Sequence, residues 1–114
     1  MNELQEVIES CKQYVSNIPT GVLHIAEELR EDNIQAALLD IKDFSEGILW
    51  LSQASELISR NGLEMNLDIT KIQHFLIDIN EGLVRQDYIV VTDILEYEIA
   101  PFFEELNQKG FIIQ

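Results

Sequence analysis

The side chains with the widest chemical reach in this 114-residue chain are His24, His74, Cys11 and 21 Asp and Glu residues. Their spacing decides what they could do. A di-iron carboxylate bundle requires Glu-x-x-His on two helices with two further inward Glu residues. The residues three before His24 and His74 are Gly21 and Lys71, so that motif is missing at both histidines. A helical zinc site of the His-Glu-x-x-His type needs two histidines one turn apart, and these stand fifty residues apart. Asp78-Ile79-Asn80-Glu81-Gly82 begins like a calcium loop, yet it lacks the ligand spacing and carries Ile89 where the closing Glu belongs. Glycine-rich phosphate loops, Ser or Cys nucleophile motifs and paired cysteines are also missing. Each histidine has a carboxylate four positions on, Glu28 and Asp78, the spacing of an ordinary surface pair on a helix. The expectation is a protein without catalytic residues, metal or cofactor, and not an enzyme.

Composition narrows the partners. Seven Lys and Arg against 21 Asp and Glu give a net charge of −14, which repels nucleic acid and anionic membranes and favours basic partners or simple solubility. Hydrophobic residues make up 46% of the chain, too many for a disordered one. The length suits a single domain over residues 1–114. Cys11 is the only cysteine, so no internal disulfide can form, and its place on an apolar stripe marks it as a small core residue. The longest apolar runs, such as Ile48-Leu49-Trp50-Leu51, are four residues, and the acidic N-terminus lacks a secretion signal; a cytoplasmic location is expected.

Helical elements must position these groups. Arg30, Arg60, Arg85 and Lys109 each close a stretch with apolar residues at three- and four-residue intervals. A cation in the last turn offsets the helix dipole, and Gly62 and Gly110 follow two of these ends. The spacing predicts four helices, over about residues 2–30, 33–60, 68–85 and 87–109, with one clear loop at 62–67. The first helix carries Leu4, Val7, Ile8, Cys11, Tyr14, Val15, Ile18, Val22, Ile25 and Leu29 inward. It is expected to kink or break at Pro19, and the kink is favoured because Leu4 and Ile25 stay in phase across it. Asp32 is the expected N-cap of the second helix, whose inward stripe is Ile34, Leu38, Ile41, Ser45, Ile48, Leu51 and Ile58. In the third, Ile69, Ile72, Phe75, Leu76, Ile79, Leu83 and Val84 face inward; in the fourth, Tyr88, Val91, Ile94, Leu95, Phe102 and Leu106 do. Short turns make the fold class an all-α, antiparallel up-down-up-down four-helix bundle. Arg30-Glu31-Asp32-Asn33-Ile34 and Arg85-Gln86-Asp87-Tyr88-Ile89 echo each other at an offset of 55, which turn chemistry alone can produce.

Function is left to surfaces. The second helix has a second apolar face, Leu39, Trp50, Ala54 and Leu57, with Gly47 one turn before Trp50. Trp50 either packs against the first or third helix or serves as an interaction anchor. Glu98 falls near the inward stripe of the fourth helix, where it either caps or braces a neighbour across the Pro101 kink or belongs to a recognition notch formed where Pro101 frees a backbone carbonyl. The tail Phe111-Ile112-Ile113 can fold back, stay loose or dock on a second copy. The candidate interaction surface is therefore Leu39, Trp50, Leu57, Tyr97, Phe111 and Ile113. The resulting expectation is a non-enzymatic interaction module, an adaptor, chaperone or regulatory subunit. The alternatives are a homodimer, or a bundle like the flagellar and secretion chaperones.

The segment from Asp87-Tyr88 through Asp93-Ile94-Leu95-Glu96-Tyr97-Glu98 to Pro101, with Glu46-Gly47-Ile48-Leu49-Trp50-Leu51 before it, resembles a group of small acidic helical proteins of unknown function from Gram-positive bacteria. The resemblance covers roughly residues 30 to 106, and the family turn Gly-Asp-Tyr reads Gln86-Asp87-Tyr88 here. It implies a helical bundle and carries over no activity and no functional residue.

Overall fold

The computed structural model describes residues 3–110 in full and the backbone of residues 112 and 113. Its helices are α1 (Glu3–Arg30), α2 (Ile34–Arg60), α3 (Ile69–Val84), α4 (Tyr88–Asp93) and α5 (Ala100–Lys109). A π-helical segment, Ile94–Ile99, joins α4 to α5. Two short strands, β1 (Glu64–Met65) and β2 (Ile112–Ile113), pair antiparallel with Glu64 opposite Ile113 and Met65 opposite Ile112. The chain is all-α apart from that ladder.

Three helix ends close in the same way. Asn33 N–H donates to Glu28 O and Asp32 N–H to Leu29 O, and the same pair of bonds recurs at Leu63/Ile58 with Gly62/Ser59 and at Asp87/Gly82 with Gln86/Leu83. This is the Schellman closure, which requires a left-handed residue just past the helix. Gly62 supplies it at no steric cost, whereas Asp32 (φ 62°) and Gln86 (φ 55°) adopt it as non-glycine residues. Asp32 is therefore spent on ending α1 and does not cap α2; Asn33 takes the capping position without a side-chain bond. Asp68 and Asp87 do cap, accepting from Lys71 N–H and Val90 N–H at 3.0 and 3.2 Å. The two echoing turns align structurally as Asp32 with Gln86 and Asn33 with Asp87, one residue off the sequence match.

Cross-helix contacts give the direction of each helix. His24 lies beside Asp40 and Tyr14 beside Trp50, so α1 and α2 run antiparallel. Arg30 pairs with Glu96, and Asn107 Nδ2 donates to Val15 O at 3.1 Å, so the α4–α5 run is antiparallel to α1. Gly82 backs onto Val91, and Phe75 meets Phe102 edge-on, setting α3 antiparallel to the same run. The result is an up-down-up-down arrangement, 45 × 22 × 21 Å overall. Pro19 lies inside a helix that continues unbroken through it, and Ile18 and Val22 are buried on either side.

The core is built from Cys11, Val15, Val22, Ile48, Leu51, Ile58, Ile72, Leu95, Ile99 and Phe103, each almost wholly buried. Several expected inward positions are not there. Leu38 and Val84 are exposed, Ser45 instead bonds Ile41 O, and the smaller Ala37 and Ala54 face inward. Small side chains let α2 approach its neighbours closely, and the stripe rotates to accommodate them. Phe103, not Phe102, fills the centre, for a reason that lies in the π segment.

Candidate functional site

The outer side of α2 carries a stripe at four- and three-residue intervals: Leu39, Asp43, Glu46, Trp50, Gln53 and Leu57, all exposed. Such spacing keeps side chains on one line along a helix. Leu39 is 65% exposed, Leu57 40% and Trp50 39%. The Trp50 ring meets Tyr14 edge-on, centroids 6.0 Å apart and planes at 89°. It is thus held by α1 on one side and open on the other. Gly47 makes this possible: a Cβ there would collide with the Tyr14 hydroxyl and ring. Burial pushes the Tyr14 phenol up to about 12. Ala54, expected on this face, belongs to the core.

Next to this stripe, α1 and α2 enclose an open cavity of about 370 Å³. Its floor is apolar, with Ile18, Val22, Ile25 and Phe44, and its rim carries Asn17, His24, Asp40 and Asp43. At its edge His24 Nε2 stands 3.7 Å from Glu28 Oε2 and 3.9 Å from Asp40 Oδ2. Glu28 is not the surface residue that its four-residue spacing from His24 implies. It is only 9% exposed, and its Oε1 has no hydrogen-bond partner. The facing Asp40 side chain raises the Glu28 carboxyl, burial raises it further, and His24 pulls the other way. In the sequence Asp40 is legible only as an acid on another helix; the hairpin brings it to the pair.

The π segment re-aims the acidic and aromatic run of the last helix. Wider i→i−5 bonding inserts one extra residue into the turn, and Ala100 N–H reaches back to Leu95 O. Pro101 cannot donate to the carbonyl four residues back, so ordinary α bonding could not have continued there. Ile99 and Ala100 become buried, Glu98 turns outward, and Glu96 turns to Arg30. Glu98 is exposed and lines a surface hollow with Arg85 and Asp78. Tyr97 is 68% exposed on the π segment, on a different helix from the α2 stripe. Of the expected surface, the structure brings Leu39, Trp50 and Leu57 onto one line. Phe111 lies outside the described residues, and Ile113 is described by its backbone alone, which pairs with Glu64. His74 is exposed, and Cys11 is buried as expected, its thiol pushed up to about 11 by burial.

The family model for the domain of unknown function DUF8042 matches residues 6–109, so the chain belongs to that family. The match spans all five helices, from the second turn of α1 to the end of α5. Comparison with curated proteins and with solved structures finds no match.

Proposed function

We propose that this chain is a non-enzymatic protein-interaction module that receives an amphipathic helix of basic character along the outer face of α2. The observation that carries the reading is the Leu39–Asp43–Glu46–Trp50–Gln53–Leu57 stripe. Apolar side chains at its ends, acids in its middle and a braced tryptophan match a partner helix with apolar anchors flanking Lys or Arg. Trp50 is the expected anchor, since its indole is pre-positioned by Tyr14 and loses little freedom on binding. The net charge of −14 speeds encounter with such a partner and rejects acidic ones. The resemblance over roughly residues 30–106 to proteins of Gram-positive bacteria suggests a bacterial setting for the encounter, and a cytoplasmic one is the expectation from the N-terminal sequence and the short apolar runs.

The test is affinity purification of the tagged chain from its native cells beside a Trp50→Ala/Leu39→Ser double variant. Both residues are exposed, so the variant is expected to melt within a few degrees of the parent. The expected result is one stoichiometric protein, carrying a basic amphipathic helix, that co-purifies with the parent and not with the variant. An identical set of proteins from both would overturn the reading.

A further inference from the structure

The α1–α2 hairpin sets three metal-ligating side chains around one point. His24 and Glu28 stand one turn apart on α1, and Asp40 faces them from α2. One ligand atom from each of the three lies within 4.8 Å of the others. A tetrahedral ion with bonds of about 2.0–2.2 Å holds its ligands about 3.4 Å apart. The two edges that His24 makes, 3.7 and 3.9 Å, need to contract by only a few tenths of an ångström, and the Glu28–Asp40 edge is at most 4.8 Å. The electrostatics ask for a cation as well. Two carboxylates lie together here, and that of Glu28 is buried with an Oε1 that lacks a hydrogen-bond partner. Among the described residues neither carboxylate has a Lys or Arg partner, and the nearest arginine in sequence, Arg30, is engaged by Glu27 and Glu96. Leaving a buried acidic oxygen uncompensated is costly, and bound cations are a standard compensation.

We infer that His24, Glu28 and Asp40 form a divalent-cation site, matched to Zn²⁺, that fastens the end of α1 to the start of α2. The imidazole selects a borderline ion such as Zn²⁺ over Mg²⁺ or Ca²⁺, which prefer all-oxygen sets. Three protein ligands leave one position to water, and His24 and Asp40 also wall the 370 Å³ cavity from which that water would come. Motifs within one helix do not reveal this set, because the third ligand comes from across a turn; the expectation of no metal rests on such motifs alone. The site does not depend on the proposed partner helix, and it is tested without one.

The experiment is calorimetric titration of the EDTA-stripped, full-length chain with ZnCl2, followed by MgCl2, alongside thermal melts in each ion. His24→Ala, Asp40→Asn and Glu28→Gln are compared with the parent, with circular dichroism to check their fold. His24 is largely exposed, so its variant keeps the fold even if a change at Glu28 disturbs packing. The expected result is one Zn²⁺ per chain, a melting temperature raised by Zn²⁺ and not by Mg²⁺, and at least about ten-fold weaker binding in each variant. Cobalt substitution should give the visible absorption of a tetrahedral N/O site, lost in His24→Ala. Three results would overturn the site: no saturable Zn²⁺ binding by the parent, equal binding by His24→Ala, or equal response to Mg²⁺.

Discussion

Cys11 shows how burial alone sets a side chain's chemistry here. Its thiol is completely enclosed and raised from 9.0 to about 11, and the neighbouring Tyr14 phenol is raised from 10.0 to about 12. In both, the folded state holds the proton more tightly than the unfolded chain does. Their contribution to stability is therefore full below pH 9 and is lost as pH rises, through about 11 for the thiol and about 12 for the phenol. The thiol alone should cost on the order of 2 kcal/mol across that window. Denaturant midpoints at pH 8 and pH 10.5 should diverge more for the parent than for Cys11→Ala; parallel losses would contradict the assignment. The same burial makes the native thiol inert to disulfide reagents at pH 8, with labelling only on unfolding. Glu28 is the opposite case. Its type and its spacing from His24 imply a surface pair, and only the fold shows it turned inward against Asp40.

At the scale of the elements, the tail joins the fold through its backbone. The β1–β2 ladder ties Ile112 and Ile113 to the loop between α2 and α3, and α3 contacts α2 only sparsely. Deleting residues 110–114 should therefore loosen that loop. The expected loss is about 1 kcal/mol, the worth of one or two net hydrogen bonds. Amide exchange should speed up at Glu64 and Met65 and stay unchanged at Val15 and Ile48; unaltered protection at 64–65 would deny the ladder a structural role. The four helical stretches themselves are legible from apolar spacing and from basic residues at their ends, and α1's stripe stays in register across Pro19 as its period implies. The π segment is not legible. A single extra residue in one turn leaves the 3.6-residue pattern of the flanking helices intact and rotates only the residues beyond it. This is why the periodicity points Glu98 inward where Ile99 stands, and misses Phe103, which fills the centre beside the half-buried Phe102. Pro101 is the one local sign, since it forbids the α bond there. Asp32 misleads for a similar reason: a good cap residue can equally close the preceding helix in the left-handed conformation.

For the molecule as a whole, the question is what keeps an exposed apolar stripe from pairing with itself. Leu39, Trp50 and Leu57 could each meet their own counterparts on a second copy in parallel across a two-fold axis, but Asp43 and Glu46 would then face the partner's acids near the centre of the contact. Like charges placed together at an interface cost several kcal/mol unless screened. The net charge of −14 adds a repulsion acting over about 10 Å in 0.1 M salt. A basic helix reverses both terms, so the stripe discriminates by charge at its middle while its apolar ends supply contact area. The expected behaviour is a 13.1 kDa monomer in sedimentation equilibrium at 0.05 M and at 0.5 M NaCl. The Asp43→Asn/Glu46→Gln variant, freed of the central repulsion, should associate in the high-salt buffer, where screening lets the apolar ends decide. A parent dimer at 0.05 M salt, lost in Trp50→Ala, would make a second copy of this chain the natural occupant of the α2 face.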